Sequence, residues 1–280
     1  MSESLKRPYV GVSGVVSPDV QKTLEGIATR EGLFDTNRML ALGVKAVHKT
    51  QYLDIENKYG ADWYPVGEEA FTGALRHDNS NPNTIAVAQA YLDPEHIDSK
   101  AYREAFLRRI SNRGKAWLQA IQFDMLPWHE DLKLLDFLAT VKAEGLVVLL
   151  QAHKDAMEDL GPTGIVQRLG RYAHLVDYLL FDSSHGTGTR LNTHKLTPFV
   201  AEAHAGLDLS QTGIAIAGGL DAIAVYEDLP ELLAKYPNLS WDAEGRLHPL
   251  NTEGRRPLDL DVAEMYLRAS SEILTHHVKD

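Results

Sequence analysis

The sequence predicts a single (β/α)8 barrel. Short apolar runs alternate with amphipathic stretches, and the runs number eight. No Pro/Ser-rich linker or low-complexity segment divides the 280 residues, a length near the roughly 250 residues on which such barrels are built. Strands that alternate with helices form parallel βαβ units, and eight such units close on themselves. A doubly wound open sheet is the other arrangement that this pattern allows.

The elements follow in order. YVGV at 9–12 is the first strand, and Ser17-Pro18-Asp19 starts a helix with Ser as N-cap and Pro in the first turn. VKAVH (44–48), TIAVAQA (84–90), WLQAIQF (117–123) and GLVVLLQ (145–151) are the next four strands. VDYLLFD (176–182), GIAIAG (213–218) and NLSW (238–241) complete the set. Among the helices, 129–145 is the clearest, with Leu132, Leu135, Leu138 and Val141 recurring three apart and Gly145 as the stop. Residues 100–113 and 259–274 read as helices too, and 221–236 is interrupted at Pro230. Residues 1–280 are therefore one domain with two insertions. The first, 50–82, carries Tyr59, Trp63 and Tyr64, suited either to its own packing or to stacking on a planar substrate. The second spans 247–257, and loops of such length often belong to a site or a lid.

Bulk composition narrows the function. The formal charge of −11 disfavours nonspecific nucleic-acid binding, which depends on Lys and Arg neutralising phosphates. No stretch is apolar for the roughly 20 residues a membrane helix needs, and the opening MSESLKRPYV has no signal-peptide core. The absence of cysteine excludes disulfides, thiolate metal sites and thiol nucleophiles. A cytoplasmic protein with no nucleic-acid or membrane partner is expected, and a homodimer is left open.

The chemistry concentrates after the late strands. Asp182 ends the sixth, and Gly186-Thr187-Gly188 and Arg190 follow it. Barrel active sites lie at the carboxyl ends of the strands, and phosphate sites are frequently built from the loops after strands seven and eight. Gly218-Gly219 after the seventh strand and Gly245 after the eighth fit that placement, since glycine lets backbone N–H groups approach an anion closely. Each turn alone is an ordinary loop feature, and Asp182 alone could cap its loop. Together they predict a site for a small phosphorylated metabolite.

These residues resemble phosphoribosylanthranilate isomerase. The resemblance rests on Leu180-Phe181-Asp182-Ser183, His185-Gly186-Thr187-Gly188 and Ile216-Ala217-Gly218-Gly219-Leu220-Asp221, with weaker support from Gly11-Val12-Ser13-Gly14 and Ile121-Gln122-Phe123-Asp124. It covers 176–222 well and does not extend to 50–82 or 238–257. It implies a cofactor-independent Amadori rearrangement of a sugar phosphate, with Asp182 as general acid and Ser13 standing where the family has its cysteine base. A serine hydroxyl needs a partner to act as a base. Asp124, His185, His48, Lys49 and His153, all at predicted strand ends, are the candidates for that partner. Arg190 and Arg76 are the candidates for holding a substrate carboxylate.

Three other readings remain open at this level. A related lyase or aldolase would make Lys49 a Schiff-base candidate. A metal-dependent lyase or hydrolase would gather His48, Asp124, His153, Asp182 and His185, although no tight HxH or HExxH spacing is present. A non-catalytic barrel could bind a phosphometabolite or a protein.

Overall fold

The computed structural model describes residues 6–76, 81–114, 116–182, 189–252 and 256–277. Eight parallel strands close into a barrel in sequence order, the last pairing with the first. They are β1 (Tyr9–Ser13), β2 (Met39–Val47), β3 (Thr84–Tyr91), β4 (Ala120–Phe123), β5 (Val147–His153), β6 (Tyr178–Asp182), β7 (Gly213–Ala217) and β8 (Ser240–Ala243). The helices are α1 (Pro18–Arg30), α2 (Gly67–Leu75), α3 (Lys100–Gly114), α4 (Leu138–Ala143), α5 (Lys154–Leu169), α6 (Thr193–Gly206), α7 (Ala222–Asp228), α8 (Pro230–Lys235) and α9 (Leu260–His277). Among the described residues, no helix is long and apolar enough to cross a membrane.

Alternation within each strand makes two cores. Outward side chains such as Val10, Leu42, Ala88, Ile121, Leu150, Phe181 and Ile216 pack against the helices. Inward ones, including Tyr9, Val87, Leu149, Tyr178, Leu180 and Ala215, fill the barrel. Tyr9 and Tyr178 close its amino-terminal end edge to face, with ring centroids 5.2 Å apart. Towards the carboxyl ends the same inward register becomes polar: Ser13, Lys45, Gln89, Gln122, Gln151, Asp182 and Asp242. The fold therefore sets a polar layer directly above an apolar plug.

Local chemistry explains the main elements. Ser17 caps α1 by accepting from the Val20 N–H at 3.3 Å, with Pro18 in the first turn. Within α9, buried Ala263, Tyr266, Leu267, Ser270 and Leu274 recur three or four apart. This face locks the seam of the barrel: the Tyr266 hydroxyl donates to Gly11 O at 3.0 Å, and the Trp241 indole donates to Ser270 Oγ at 3.2 Å.

Several boundaries differ from expectation; the eighth strand, expected at 238–241, runs Ser240–Ala243 and so includes Asp242. The second strand begins at Met39, five residues earlier than the sequence suggested. Its early part is buried on both faces and so shows no alternation. The expected 129–145 helix is a 3₁₀ turn at Leu132–Leu135 followed by the short α4. Asp131 caps the turn by accepting from the Lys133 N–H at 2.9 Å, and the leucine spacing that suggested one helix serves two. The interruption at Pro230 separates α7 from α8 as anticipated.

The excursion after β2 opens with a π-helical turn, His48–Tyr52, and is clamped to α3. The Gln51 carbonyl accepts from Arg109 Nε at 2.7 Å and Arg113 Nη1 at 2.8 Å. Asp54 pairs with the same two guanidinium groups at 2.8 and 2.7 Å.

Candidate active site at the barrel mouth

The carboxyl ends of the strands surround a cavity of about 1050 Å³. Its floor holds Lys45, Asp124, Gln151, Asp182 and Glu244, and its wall holds His48, Tyr59, Trp63, Tyr64, Tyr91 and His96. A narrower cleft of about 30 Å³ shares Asp124, Gln151, Asp182 and Glu244 with it. The cleft continues down to Gln122, Asp242, Gly218, Gly219 and Gly245. Cavity, cleft and strand ends thus coincide where barrel chemistry is expected.

The floor is a connected set of charges. Lys45 Nζ lies 2.7 Å from Glu244 Oε1 and 3.4 Å from Asp124 Oδ2. Burial works against the Lys45 ammonium, but Glu244 and Asp124 outweigh it and push its pKa up, so it stays charged. Asp124 accepts from Gln122 Nε2 at 2.7 Å, and burial with the nearby Glu244 raises its pKa against the pull of Lys45. Asp242 lies deeper. Its carboxyl accepts from Ser13 Oγ at 3.1 Å and from Gln89 Nε2 at 3.3 Å, while Gln89 also reaches Ser13 Oγ at 2.6 Å. Burial, then Glu244, pushes Asp242 up to about 8, so it holds a proton at neutral pH. On the far side, Asp182 Oδ2 accepts from Gln151 Nε2 at 2.8 Å. The Gln151 oxygen accepts the Met125 N–H at 3.0 Å, pinning a residue at φ 55° beside Asp124.

Glycines make room for this set. A Cβ at Gly11 would collide with the Asp242 carboxyl, and one at Gly43 would meet Gln89 Cδ at 2.8 Å. Both strands give up a side chain so that a neighbouring polar group can lie across the barrel interior.

The sequence-predicted residues are distributed as follows. Asp182 and Asp124 both reach the cavity floor. Ser13 is fully buried beneath it, bonded to Asp242. Gly218, Gly219 and Gly245 line the cleft, and Gly219 sits against the Thr189 carbonyl, so the loops after β6 and β7 touch there. His185, Gly186, Thr187 and Gly188 lie outside the described residues. The Arg190 side chain turns away from the cavity to α7, pairing with Glu227 and with Asp228 at 3.0 Å. Arg76 rests over Trp117, ahead of β4 and at the opposite end of the barrel. Lys49 is an exposed residue of the cavity rim, whereas Lys45 occupies the floor. His48 Nδ1 is 2.8 Å from the Tyr102 hydroxyl, and buried His153 stacks edge to face on His129, with ring centroids 5.0 Å apart. Among the described residues, no group of three or more His, Asp or Glu is arranged to hold a metal ion.

Lys45, Gln89, Gln122, Gln151, Asp242 and Glu244 were not anticipated as site residues. The available signal was polarity at alternate positions in the second half of otherwise apolar strands, as in VKAV, VAQA and LLQAH. An inward-facing polar residue at a carboxyl end must face either the mouth or another polar group.

No protein-family model matches the chain, and no curated protein matches it. Solved structures do. A ligand-free tryptophan synthase variant from M. tuberculosis aligns with TM-score 0.52 and 12% identity, over 96% of this chain and 94% of that one. A variant tryptophan synthase α-subunit from Pyrococcus furiosus aligns with TM-score 0.52 and 14% identity, over 98% and 97%. These neighbours overturn the resemblance to phosphoribosylanthranilate isomerase, because they belong to a different barrel family. That resemblance rested on an Asp and glycine turns after late strands, which barrel geometry favours whatever the reaction. The chain is a (β/α)8 barrel that shares its fold with the α subunit of tryptophan synthase.

Proposed function

We propose that the chain is a barrel enzyme that performs lyase-type acid–base chemistry on a small polar metabolite. The observation that carries this is Asp242, a carboxyl bordering the cleft and held protonated near neutrality, in the same cleft as the Asp182 carboxyl. Paired carboxyl groups in different environments can divide acid and base roles. Asp182, oriented by Gln151, takes a proton from a substrate hydroxyl. A bond at the adjacent carbon breaks as a carbonyl forms, and Asp242 protonates the departing fragment. The step is redox neutral: Asp182 gains one proton, Asp242 gives up one, and exchange with solvent restores both carboxyl groups before the next turnover.

Lys45 serves this chemistry as a fixed positive charge. Its two carboxylate neighbours keep it an ammonium, which is no nucleophile but stabilises negative charge on a substrate oxygen. That favours electrostatic assistance over a Schiff base at this lysine. Gly218, Gly219 and Gly245 supply the edge along which an anionic substituent such as phosphate would lie. The fold shared with tryptophan synthase α-subunits supports the lyase class over isomerisation.

The test is a panel of hydroxylated metabolites, each with and without phosphate, assayed for release of a carbonyl product. Turnover by wild type, reduced on the order of 100-fold or more in Asp182→Asn and Asp242→Asn, is expected. Turnover unaffected by both substitutions overturns the assignment. Binding of a panel member with no turnover under any condition favours the non-catalytic barrel.

A further inference from the structure

The side of the mouth opposite Asp182 carries a second set of polar groups. His48 follows β2 and Asp93 follows β3, whereas Asp182 ends β6, four strands round the barrel from β2. All three line the large cavity. His48 is held on two sides. Its ring stacks on Tyr52, with centroids 5.1 Å apart and planes 21° apart, and its Nδ1 lies 2.8 Å from the Tyr102 hydroxyl. Asp93 is pinned as well: its Oδ1 accepts from the Glu95 N–H at 3.1 Å, while its Oδ2 faces His48 Nε2 at 3.7 Å. His96, on the exposed rim, brings its Nε2 to 3.8 Å from the same oxygen.

Donor accounting fixes the His48 ring. The Asp93 N–H donates to the Tyr102 oxygen at 2.9 Å. Tyr102 is buried, and among the described residues His48 Nδ1 is the acceptor beside its own O–H. Tyr102 therefore donates to Nδ1, and the neutral ring carries its proton on Nε2. Burial outweighs the pull of Asp93 and favours that neutral form. A donor and an acceptor thus face each other across a gap too wide for a direct hydrogen bond, and two bonds of about 2.8 Å can meet on one oxygen between them. A hydroxyl satisfies both, since it accepts from Nε2 and donates to Oδ2. An ether oxygen has no proton for Asp93, and an anionic oxygen is repelled by it.

We propose that His48 and Asp93 form a hydroxyl-binding subsite, with Tyr102 setting His48 as its donor, and that it holds a substrate hydroxyl remote from the bond that breaks. With a first hydroxyl at Asp182, the substrate is then a polyhydroxylated compound that spans the mouth. That extension rests on the acid–base reading of Asp182 and Asp242, whereas the subsite itself does not.

The test is NMR on the full chain at neutral pH, with glycerol and its trimethyl ether as probes. The imidazole nitrogen shifts of His48 should show the proton on Nε2, and Tyr102→Phe should give a mixture of the two tautomers. Glycerol should move the His48 Nε2 and Asp93 Cγ resonances together and saturably, and the ether should move neither. Asp93→Ala should weaken glycerol by about tenfold or more, the scale of a hydrogen bond to a charged group. Asp182→Asn should leave the glycerol response unchanged, so loss of the catalytic reading does not touch this result. A His48 proton on Nδ1 overturns the proposal. So does equal binding of glycerol and the ether, or glycerol that leaves His48 and Asp93 unmoved. The wild-type spectra decide the matter if a variant does not fold.

Discussion

Lys45 and Glu244 meet at 2.7 Å across the end of a strand to which neither belongs. Lys45 is on β2 and Glu244 follows β8, with β1 paired between them. Barrel closure pairs β1 with both β2 and β8, and so brings the carboxyl ends of those two strands within reach of each other.

Removing the cation should cost more than removing the pair. Lys45→Met leaves Asp124 and Glu244 on the floor without their counter-charge. Losing one partner of a buried ion pair costs about 3–5 kcal/mol, whereas replacing both partners is often close to neutral. Urea denaturation should therefore show a large loss for Lys45→Met and partial recovery in Lys45→Met/Glu244→Gln. Equal loss in the two proteins would show that Glu244 is not the group left stranded.

Asp242 sets a pH dependence of stability. Its folded pKa of about 8 lies above the usual carboxylate value near 3.9, so the folded chain binds more protons than the unfolded chain between these limits. Stability from this site is whole below about pH 4 and declines as pH rises through 8. Asp242→Asn has no proton to lose. Melting curves should show wild type losing stability between pH 5 and pH 8.5 more steeply than the variant, by an amount on the order of a few kcal/mol. Parallel profiles would mean that Asp242 ionises as it would in water.

Gly11→Ala tests the crowding behind Asp242. The added methyl falls on the carboxyl, which can move only by giving up Ser13 and Gln89. Overpacking a filled core typically costs about 1–3 kcal/mol, and a loss of that size is expected in denaturant titration. Neutral behaviour would show that the carboxyl has somewhere else to go.

Gln151→Glu tests the orientation of Asp182. The replacement can still accept the Met125 N–H, but it sets a second carboxyl where an amide donated at 2.8 Å. Two carboxyls at that distance cannot both ionise easily, so they share a proton. The variant should be close to wild type at acid pH and lose about 1–3 kcal/mol by neutral pH, as seen in pH-dependent melts. A constant deficit at all pH values would point to lost packing instead.

The barrel itself was legible because alternation, strand count and helix spacing are local properties. YLLFD reads as a buried strand ending in a carboxylate without any knowledge of its neighbours, and Asp182 was placed on that basis. Asp124 was found the same way. The glycines after β7 and β8 were legible as turns, and the structure sets them in one cleft. The family resemblance failed for a related reason: short motifs at strand ends report barrel geometry before they report a reaction. Lys45 escaped notice because its strand begins five residues earlier than periodicity showed, which places it late in a long strand and not near the start of a short one. Asp242 escaped because the eighth strand was expected to end at Trp241, whereas Asp242 lies within β8 and points into the barrel.

By itself, then, the sequence determined that eight βα units close into a barrel, that the sixth strand presents a carboxylate, and that glycine turns follow the later strands. Only the tertiary structure decided which charges meet. Lys45 finds Glu244, Asp242 finds Ser13 and His248 finds Trp63 because barrel closure pairs β8 with β1 and brings chain segments far apart in sequence to one rim. The properties of these groups follow from that meeting: a carboxyl proton retained near neutrality and a lysine held charged are effects of burial and neighbouring charge, and neither is encoded in any one segment.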